Sequence, residues 1–300
     1  LPVVKYVSAK NKRRKRKIKI NKDQWLNNYL DATKKNDVDL IIELIGGAEG
    51  PAKKLVFNAL KNKKHVVTAN KALIAKYGDH LSKIAEKNKV NLEFEASVCG
   101  GVPIIRSLKE GLIANKISKI YGIFNGTSNF ILSSMDKENK SFEEVLSNAK
   151  ILGYAESNPS SDLNGSDVSS KLKILCSLCF NSYLNDNIYV EGINDIDKTD
   201  IDNANKLGYK IKLLGFAELI NNKIYQRVHP TLIKKNSYVA GIDGVLNAVI
   251  IDGKPVGQSI IQGEGAGPAA TTSALVSDIS SILRGNIKFP FSLSDRERKK

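Results

Sequence analysis

The 300-residue sequence has few of the residues that build extracellular scaffolds or metal centres, with three cysteines and three histidines in all. Three cysteines make no disulfide framework, so a reducing cytosol is the simplest home and a cytoplasmic protein is expected. No uninterrupted apolar run approaches the roughly 18 residues that a membrane span needs, so no membrane helix is expected. The opening LPVVKYVSAK has neither a basic-then-apolar order nor a cleavage site, and we read no secretory signal in it. It also has no initiating Met, so we expect the true N-terminus to be missing.

What is present is ordinary for a globular protein: 42% hydrophobic and 26% charged residues, enough chain for one to three domains and a large core. The net charge of +15 and pI near 9.5 would fit a nucleic-acid binder. The distribution argues otherwise. Eight of the ten residues Lys10–Lys19 are Lys or Arg, and setting them aside leaves a net charge of +7 spread over a mixed-sign chain. No aromatic residue interrupts that run, so the stacking platform of a single-strand binder is absent and no nucleic-acid partner is expected.

From Val38 the pattern alternates strands and helices. VDLIIELIG is a near-continuous apolar run ending at Gly46-Gly47, as in a parallel strand buried on both faces. The segment from Pro51 has helical apolar spacing at Leu55, Val56, Ala59 and Leu60. HVVTA (65–69) is a short strand, Asn70 caps a long amphipathic helix, and VNLEFEA (90–96) is a third strand. This βαβαβ order implies a parallel, doubly wound sheet, with PVVKYVSA as one more strand of it. After residue 96 six strand-like pieces separated by turns suggest a second domain on a largely antiparallel sheet, with helices near 141–152 and 166–180. A last helix over 268–286 precedes a charged tail after Pro290.

In open α/β sheets ligands bind beyond the C-terminal ends of the parallel strands. Two such ends are Gly46-Gly47 and Thr68-Ala69-Asn70-Lys71; they suit a dinucleotide, or equally a plain turn with a solvated lysine. The phosphate loop G-x-G-x-x-G is absent after the first strand. The glycines of Gly263-Glu264-Gly265-Ala266-Gly267 make a poor dinucleotide fingerprint but a fair nest for an anion or a nicotinamide edge. Asp167 and Lys171 are four apart on one helical face, and Glu156 precedes them in a loop. Two carboxylates and an amine could hold a substrate ammonium and shuttle a proton, or be only an exposed ion pair worth about 0.3–0.5 kcal/mol. Cys176 and Cys179 resemble a CxxC, but with no second pair they read as small core residues. Cys99 lacks a flanking base and reads as packed rather than nucleophilic.

Taken together, DVDLIIELIGG, HVVTANKALIA, FEASVCGGVPII, GIFNGTSNFIL, GYAESNPSSDLNGSDVSSKLKIL and GEGAGPAATTSALVSDI resemble the homoserine dehydrogenase family, in order and over nearly the whole chain after residue 37. The resemblance implies a Rossmann-like parallel sheet, incomplete at its N-terminus, over residues 1–95. An α+β substrate and dimerisation domain over 96–264 and a C-terminal helix with tail over 265–300 would follow. It implies interconversion of L-homoserine and L-aspartate 4-semialdehyde with NADP or NAD, on the route to threonine and methionine, by a homodimer. Carried over by position, Lys171 is the proton donor and acceptor, Glu156 and Asp167 bind substrate, and Lys71 reaches cofactor and substrate. Gly46, Gly47, Gly153, Gly265 and Gly267 meet the cofactor. A monovalent cation, Na⁺ or K⁺, falls at Glu95, Val98, Gly100 and Val102.

The missing phosphate loop departs from the family and leaves open a non-catalytic relative acting as a binding or scaffold protein. The resemblance also places Lys71 near Lys171, where a neighbouring cation would lower the pKa of Lys171 toward neutrality. The strand expected at Lys5–Ala9 is followed by Lys10, Lys12, Arg13 and Arg14, with no acid before Asp23. Lys10 and Arg13 would there favour the 2′-phosphate of NADP, unless the run is simply a solvated loop.

Overall fold

The computed structural model describes residues 2–285 and 287–299. Its N-terminal half holds the strands β1 (Leu40–Glu43), β2 (His65–Thr68) and β3 (Leu92–Glu93), and the helices α1 (Pro51–Lys61) and α2 (Lys71–Asn88). The strands form a parallel sheet in the order β1-β2-β3, with Leu40 opposite His65 and Val66 opposite Leu92. Both helices start as the sequence requires: Pro51 occupies the first turn of α1, and the Asn70 side chain accepts the Leu73 N–H at the start of α2.

Two expectations about this half are corrected. PVVKYVSA is not a strand of the sheet. Val7 instead exchanges hydrogen bonds with the 24–26 stretch (Val7 N–H to the Gln24 carbonyl, Leu26 N–H to the Val7 carbonyl), leaving Val3 and Val4 exposed. The third strand stops at Glu93 because Phe94 turns into the core and Glu95–Ser97 forms a single 3₁₀ turn.

Next come a three-residue helix α3 (Ile104–Arg106), which runs on as a wide π-type turn over Ser107–Gly111, and strand β4 (Lys116–Ile123). The helices α4 (Gly126–Glu138), α5 (Phe142–Ile151), α6 (Ser160–Leu163) and α7 (Ser166–Phe180) follow. Then come β5 (Tyr189–Val190), α8 (Lys198–Lys206), β6 (Tyr209–Ile220), β7 (Lys223–Lys234), β8 (Leu246–Lys254), β9 (Gly257–Glu264) and α9 (Pro268–Leu283). The second sheet has the order β5-β7-β6-β4-β8-β9 and is antiparallel except for the short β5–β7 pair. One continuous apolar cluster runs from Val66, Leu73 and Leu92 to Val168, Leu172 and Val249, so the two sheets share a core. Helix α9 returns to the first sheet, packing on β2 and the 95–97 turn.

The charged tail packs on the rest of the molecule. Phe291 is fully buried against Phe94, with ring centroids 5.4 Å apart. The buried Arg298 guanidinium stacks over Phe291, pairs with Asp79 of α2 at 2.7 Å and donates to Ser177 Oγ of α7 at 2.6 Å. Apolar burial with a paired guanidinium holds this segment between the two halves despite its charge. Phe291→Ala should therefore cost about 3 kcal/mol of unfolding free energy in urea titrations, the range for emptying a buried aromatic site. A loss below about 1 kcal/mol would show that the tail is only draped on the surface.

Candidate active site

Helix α2 begins at Lys71 because Thr68 and Asn70 fix the turn beyond β2. Thr68 Oγ1 donates to Glu43 Oε2 at 2.6 Å and accepts the Asn70 N–H at 3.0 Å. The same buried Glu43 accepts the N–H groups of Ile45 and Gly46 through Oε1, at 2.7 and 3.0 Å. These bonds shape the Gly46–Gly47 turn, whose φ values of 84° and 78° are open to glycine at little cost. Nothing lies within 4 Å of where a Cβ would stand on either glycine, so the two strand ends border an open crevice.

Helix α7 crosses toward that crevice and buries Asp167 and Lys171 near its N-terminus. Asp167 is the centre of the site. Its Oδ1 lies 2.8 Å from Lys71 Nζ and its Oδ2 lies 2.8 Å from Lys171 Nζ, so one carboxylate joins a lysine from each half. Lys171 also donates to the Phe124 carbonyl at 2.7 Å. Burial alone would raise the Asp167 carboxyl, but the two ammonium groups outweigh it and hold it well below the usual carboxylate range. Burial pulls Lys171 down, and the adjacent Asp167 charge more than offsets this, leaving it above an ordinary lysine. The expectation that Lys71 lowers Lys171 is thus corrected: the carboxylate lies between the two cations.

Sequence reasoning missed two residues. Asn125 precedes α4 and donates from Nδ2 to Asp162 Oδ1 at 2.7 Å and to Asp167 Oδ2 at 2.9 Å. Asp162, on α6, is raised by burial, and its Oδ2 makes no hydrogen bond among the described residues. The available signal was the spacing of Asp162 five residues before Asp167 within one polar loop. Glu156, by contrast, is exposed and makes no hydrogen bond or ion pair among the described residues; the structure does not bring its side chain into the cluster. Its loop is tied to α4 by Thr127 Oγ1, which donates to the Tyr154 carbonyl at 2.7 Å, and carries the exposed Gly153 at φ 78°.

The two glycine-rich segments meet beside this cluster. Gly101 N–H donates to the Glu264 carbonyl at 2.9 Å. A Cβ on Gly265 would stand 2.1 Å from the Asn247 side chain, so only glycine fits there. Gly267, at φ 106°, opens onto free space at the start of α9. Cys99 is buried at the same junction and burial pushes its thiol up; Cys176 and Cys179 are likewise buried with raised thiols, as packed cysteines rather than nucleophiles.

The Glu95 carboxylate is engaged by main-chain N–H groups. Its two oxygens accept the Ile105 and Arg106 N–H groups, both at 2.8 Å, capping α3. The Glu95 carbonyl accepts the Val98 N–H and the Val102 carbonyl accepts the Ile104 N–H. Each of these oxygens thus already accepts one main-chain N–H.

The basic run folds over Trp25. Arg16 and Lys12 lie 5.0 and 5.8 Å from the ring centroid, and Arg16 donates to the carbonyls of Asn11, Lys12 and Arg14. The side chains of Lys10 and Arg13 make no hydrogen bond or ion pair among the described residues.

The signs of the two shifts fix a pH window. The lowered Asp167 contributes stability above about pH 4 that is lost as pH falls toward its folded pKa. The raised Lys171 contributes below about pH 10.4, and that part is lost as pH rises through its folded pKa. Asp167→Asn should cost about 3 kcal/mol at pH 7, because it leaves a buried ammonium unpaired. The deficit should shrink toward pH 9.5, where the unpartnered Lys171 sheds its proton. Urea unfolding at both pH values measures this, and an equal deficit at the two would contradict it.

Comparison with known proteins accounts for this arrangement. A profile described as "Homoserine dehydrogenase, NAD binding domain" matches residues 2–95, and one described as "Homoserine dehydrogenase" matches residues 103–280. The homoserine dehydrogenase of Neisseria gonorrhoeae is 48% identical over 251 residues, 83% of this chain and 58% of that protein. That of Bacillus subtilis is 41% identical over 282 residues, 94% of this chain and 65% of that protein. The chain therefore spans about three fifths of the length of these relatives. The crystal structure of a homoserine dehydrogenase from Thiobacillus denitrificans superposes with a TM-score of 0.87 at 42% identity, covering 92% of this chain and 65% of that one. A hyperthermophilic archaeal homoserine dehydrogenase in complex with NADPH superposes at 0.73 and 26% identity, covering 87% and 76%. Fold and sequence agree: the chain belongs to the homoserine dehydrogenase family.

Proposed function

We propose that the protein interconverts L-homoserine and L-aspartate 4-semialdehyde with a nicotinamide cofactor, in the supply of threonine and methionine. The observation that carries this is the Asp167 carboxylate shared between Lys71, at the edge of the open crevice, and the buried Lys171. A buried ammonium so close to that crevice, in a chain whose relatives are homoserine dehydrogenases, favours this reading over a non-catalytic scaffold.

Gly46, Gly47, Gly153, Gly265 and Gly267 would hold a nicotinamide dinucleotide, the first two beside open space. The dinucleotide supplies or accepts the hydride when bound. The protein's own groups do the rest. Lys171, held as an ammonium by Asp167, gives its proton to the oxygen of the semialdehyde as the carbon is reduced. In the other direction it must first lose a proton, so homoserine oxidation should rise as pH increases from 7 toward 10. Asp162 Oδ2, with Glu156 on the adjoining loop, takes the substrate ammonium, and Lys71 reaches cofactor and substrate while holding Asp167.

Lys10 and Arg13 are free to meet a 2′-phosphate, which favours NADP over NAD. A monovalent cation, Na⁺ or K⁺, would be held by the carbonyls of Glu95, Val98, Gly100 and Val102, since hard oxygen ligands suit hard cations. The homodimer contact falls on the six-stranded sheet, whose β9 edge has no strand neighbour among the described residues. We divide the chain into a nucleotide domain (1–95), a substrate and dimerisation domain (96–264) and a returning helix with tail (265–300). Three free, buried cysteines suit the cytoplasm.

The experiment is turnover by the protein expressed from the whole reading frame that encodes these residues. Lys171→Ala should lower kcat at least about 100-fold with cofactor binding intact, the scale of a lost general acid. Near-full turnover would remove Lys171 from the reaction. Replacing Lys10, Lys12, Arg13 and Arg14 by Ser should erase a preference for NADP that weakens with salt. Equal kcat/KM for the two cofactors before and after would show that the run does not read the phosphate.

A further inference from the structure

Asn125 is 5% exposed and uses its whole side chain. As the residue before α4, its Oδ1 accepts the Ser128 N–H at 2.7 Å, while its Nδ2 donates to Asp162 and Asp167. The amide cannot be turned over. Exchanging O and N would aim a carbonyl at two carboxylates and lose the helix cap. The orientation of Asn125 is therefore fixed by α4 on one side and by the two acids on the other.

The charges around it explain why an amide is needed. Asp167 meets Lys71 from α2 and Lys171 from its own helix, and Cys99 lies nearby as a neutral, buried thiol. Asp162, from α6, has no ion-pair partner among the described residues, yet stands near a second carboxylate. Two carboxylates sharing one donor site repel and drive one of them toward its neutral form. The two N–H bonds of a single NH₂ group offset that repulsion and lock the spacing. They also occupy Asp162 Oδ1, leaving Oδ2 without a hydrogen bond among the described residues.

We propose that Asn125 is a positioning residue of this site, its one NH₂ group holding Asp162 and Asp167 at fixed spacing so that the outward oxygen of Asp162 meets the substrate ammonium. This rests on the dehydrogenase reading above. It gives α4 a part in substrate recognition although no α4 side chain itself binds the ammonium.

Asn125→Ser separates this role from a structural one, because Ser caps a helix about as well as Asn and brings no NH₂ group. KM for L-homoserine should rise at least tenfold, KM for the cofactor should stay within twofold, and Tm should move by only a few degrees. Asn125→Asp keeps the cap and adds a third carboxylate, so the acidic limb of kcat/KM against pH should move up by half a unit or more. A homoserine KM within twofold of the unsubstituted protein in Asn125→Ser would overturn the proposal. If the unsubstituted protein does not oxidise homoserine, it is the dehydrogenase reading that fails. The positioning claim is then read from the ¹³C carboxyl titration of Asp162, whose midpoint should rise by at least half a unit in Asn125→Ser. An unchanged midpoint would overturn it.

Discussion

The site depends on one carboxylate placed between two ammonium groups. Asp167 is almost fully buried, and an isolated charge there would be far too costly to keep. It is kept because Lys171 comes from the next turn of its own helix and Lys71 from the start of a helix in the other half of the molecule. The interaction therefore does two things at once. It keeps a buried lysine protonated, and it ties the crevice at the end of the parallel sheet to the helix that carries Lys171.

Several other features serve that juxtaposition. Glu43, Thr68 and Asn70 form a relay of hydrogen bonds that fixes where α2 starts, and so where Lys71 stands. The C-terminal tail also joins the same two helices, since Arg298 pairs with Asp79 in the middle of α2 and donates to Ser177 near the end of α7. Glycines 101 and 265 let two loops approach closely enough to form the wall beside Lys171. Each of these groups limits how far Lys71 and Lys171 can separate.

The parts of the fold written in local pattern were legible in the sequence. Pro51, Asn70 and Pro268 mark helix starts by their own chemistry, and the alternation of apolar runs with helical spacing located β1, β2, α1 and α2. Lys71, Asp167 and Lys171 were found by strand ends, helical spacing and family resemblance together. What stayed hidden depends on contacts between distant segments. The composition of the tail after Pro290 shows its charge but not that Phe291 meets Phe94 or that Arg298 meets Asp79. PVVKYVSA reads as a strand because its composition is right, but its hydrogen bonds go to residues 24–26. The direction of the Lys171 shift was misread for the same reason. The resemblance put a cation beside Lys171 without revealing that a carboxylate lies between the two. Asp162 and Asn125 are far apart in sequence, 37 residues, and only the folded chain brings them together.

The most direct test of the bridging role of Asp167 is a double-mutant cycle between Lys71→Met and Asp167→Asn, read in urea unfolding at pH 7. If the carboxylate joins the two halves as described, the two substitutions should be coupled by more than about 1 kcal/mol, the double variant losing much less than the sum of the singles. Additivity within about 0.3–0.5 kcal/mol, the behaviour of independent sites, would contradict the account.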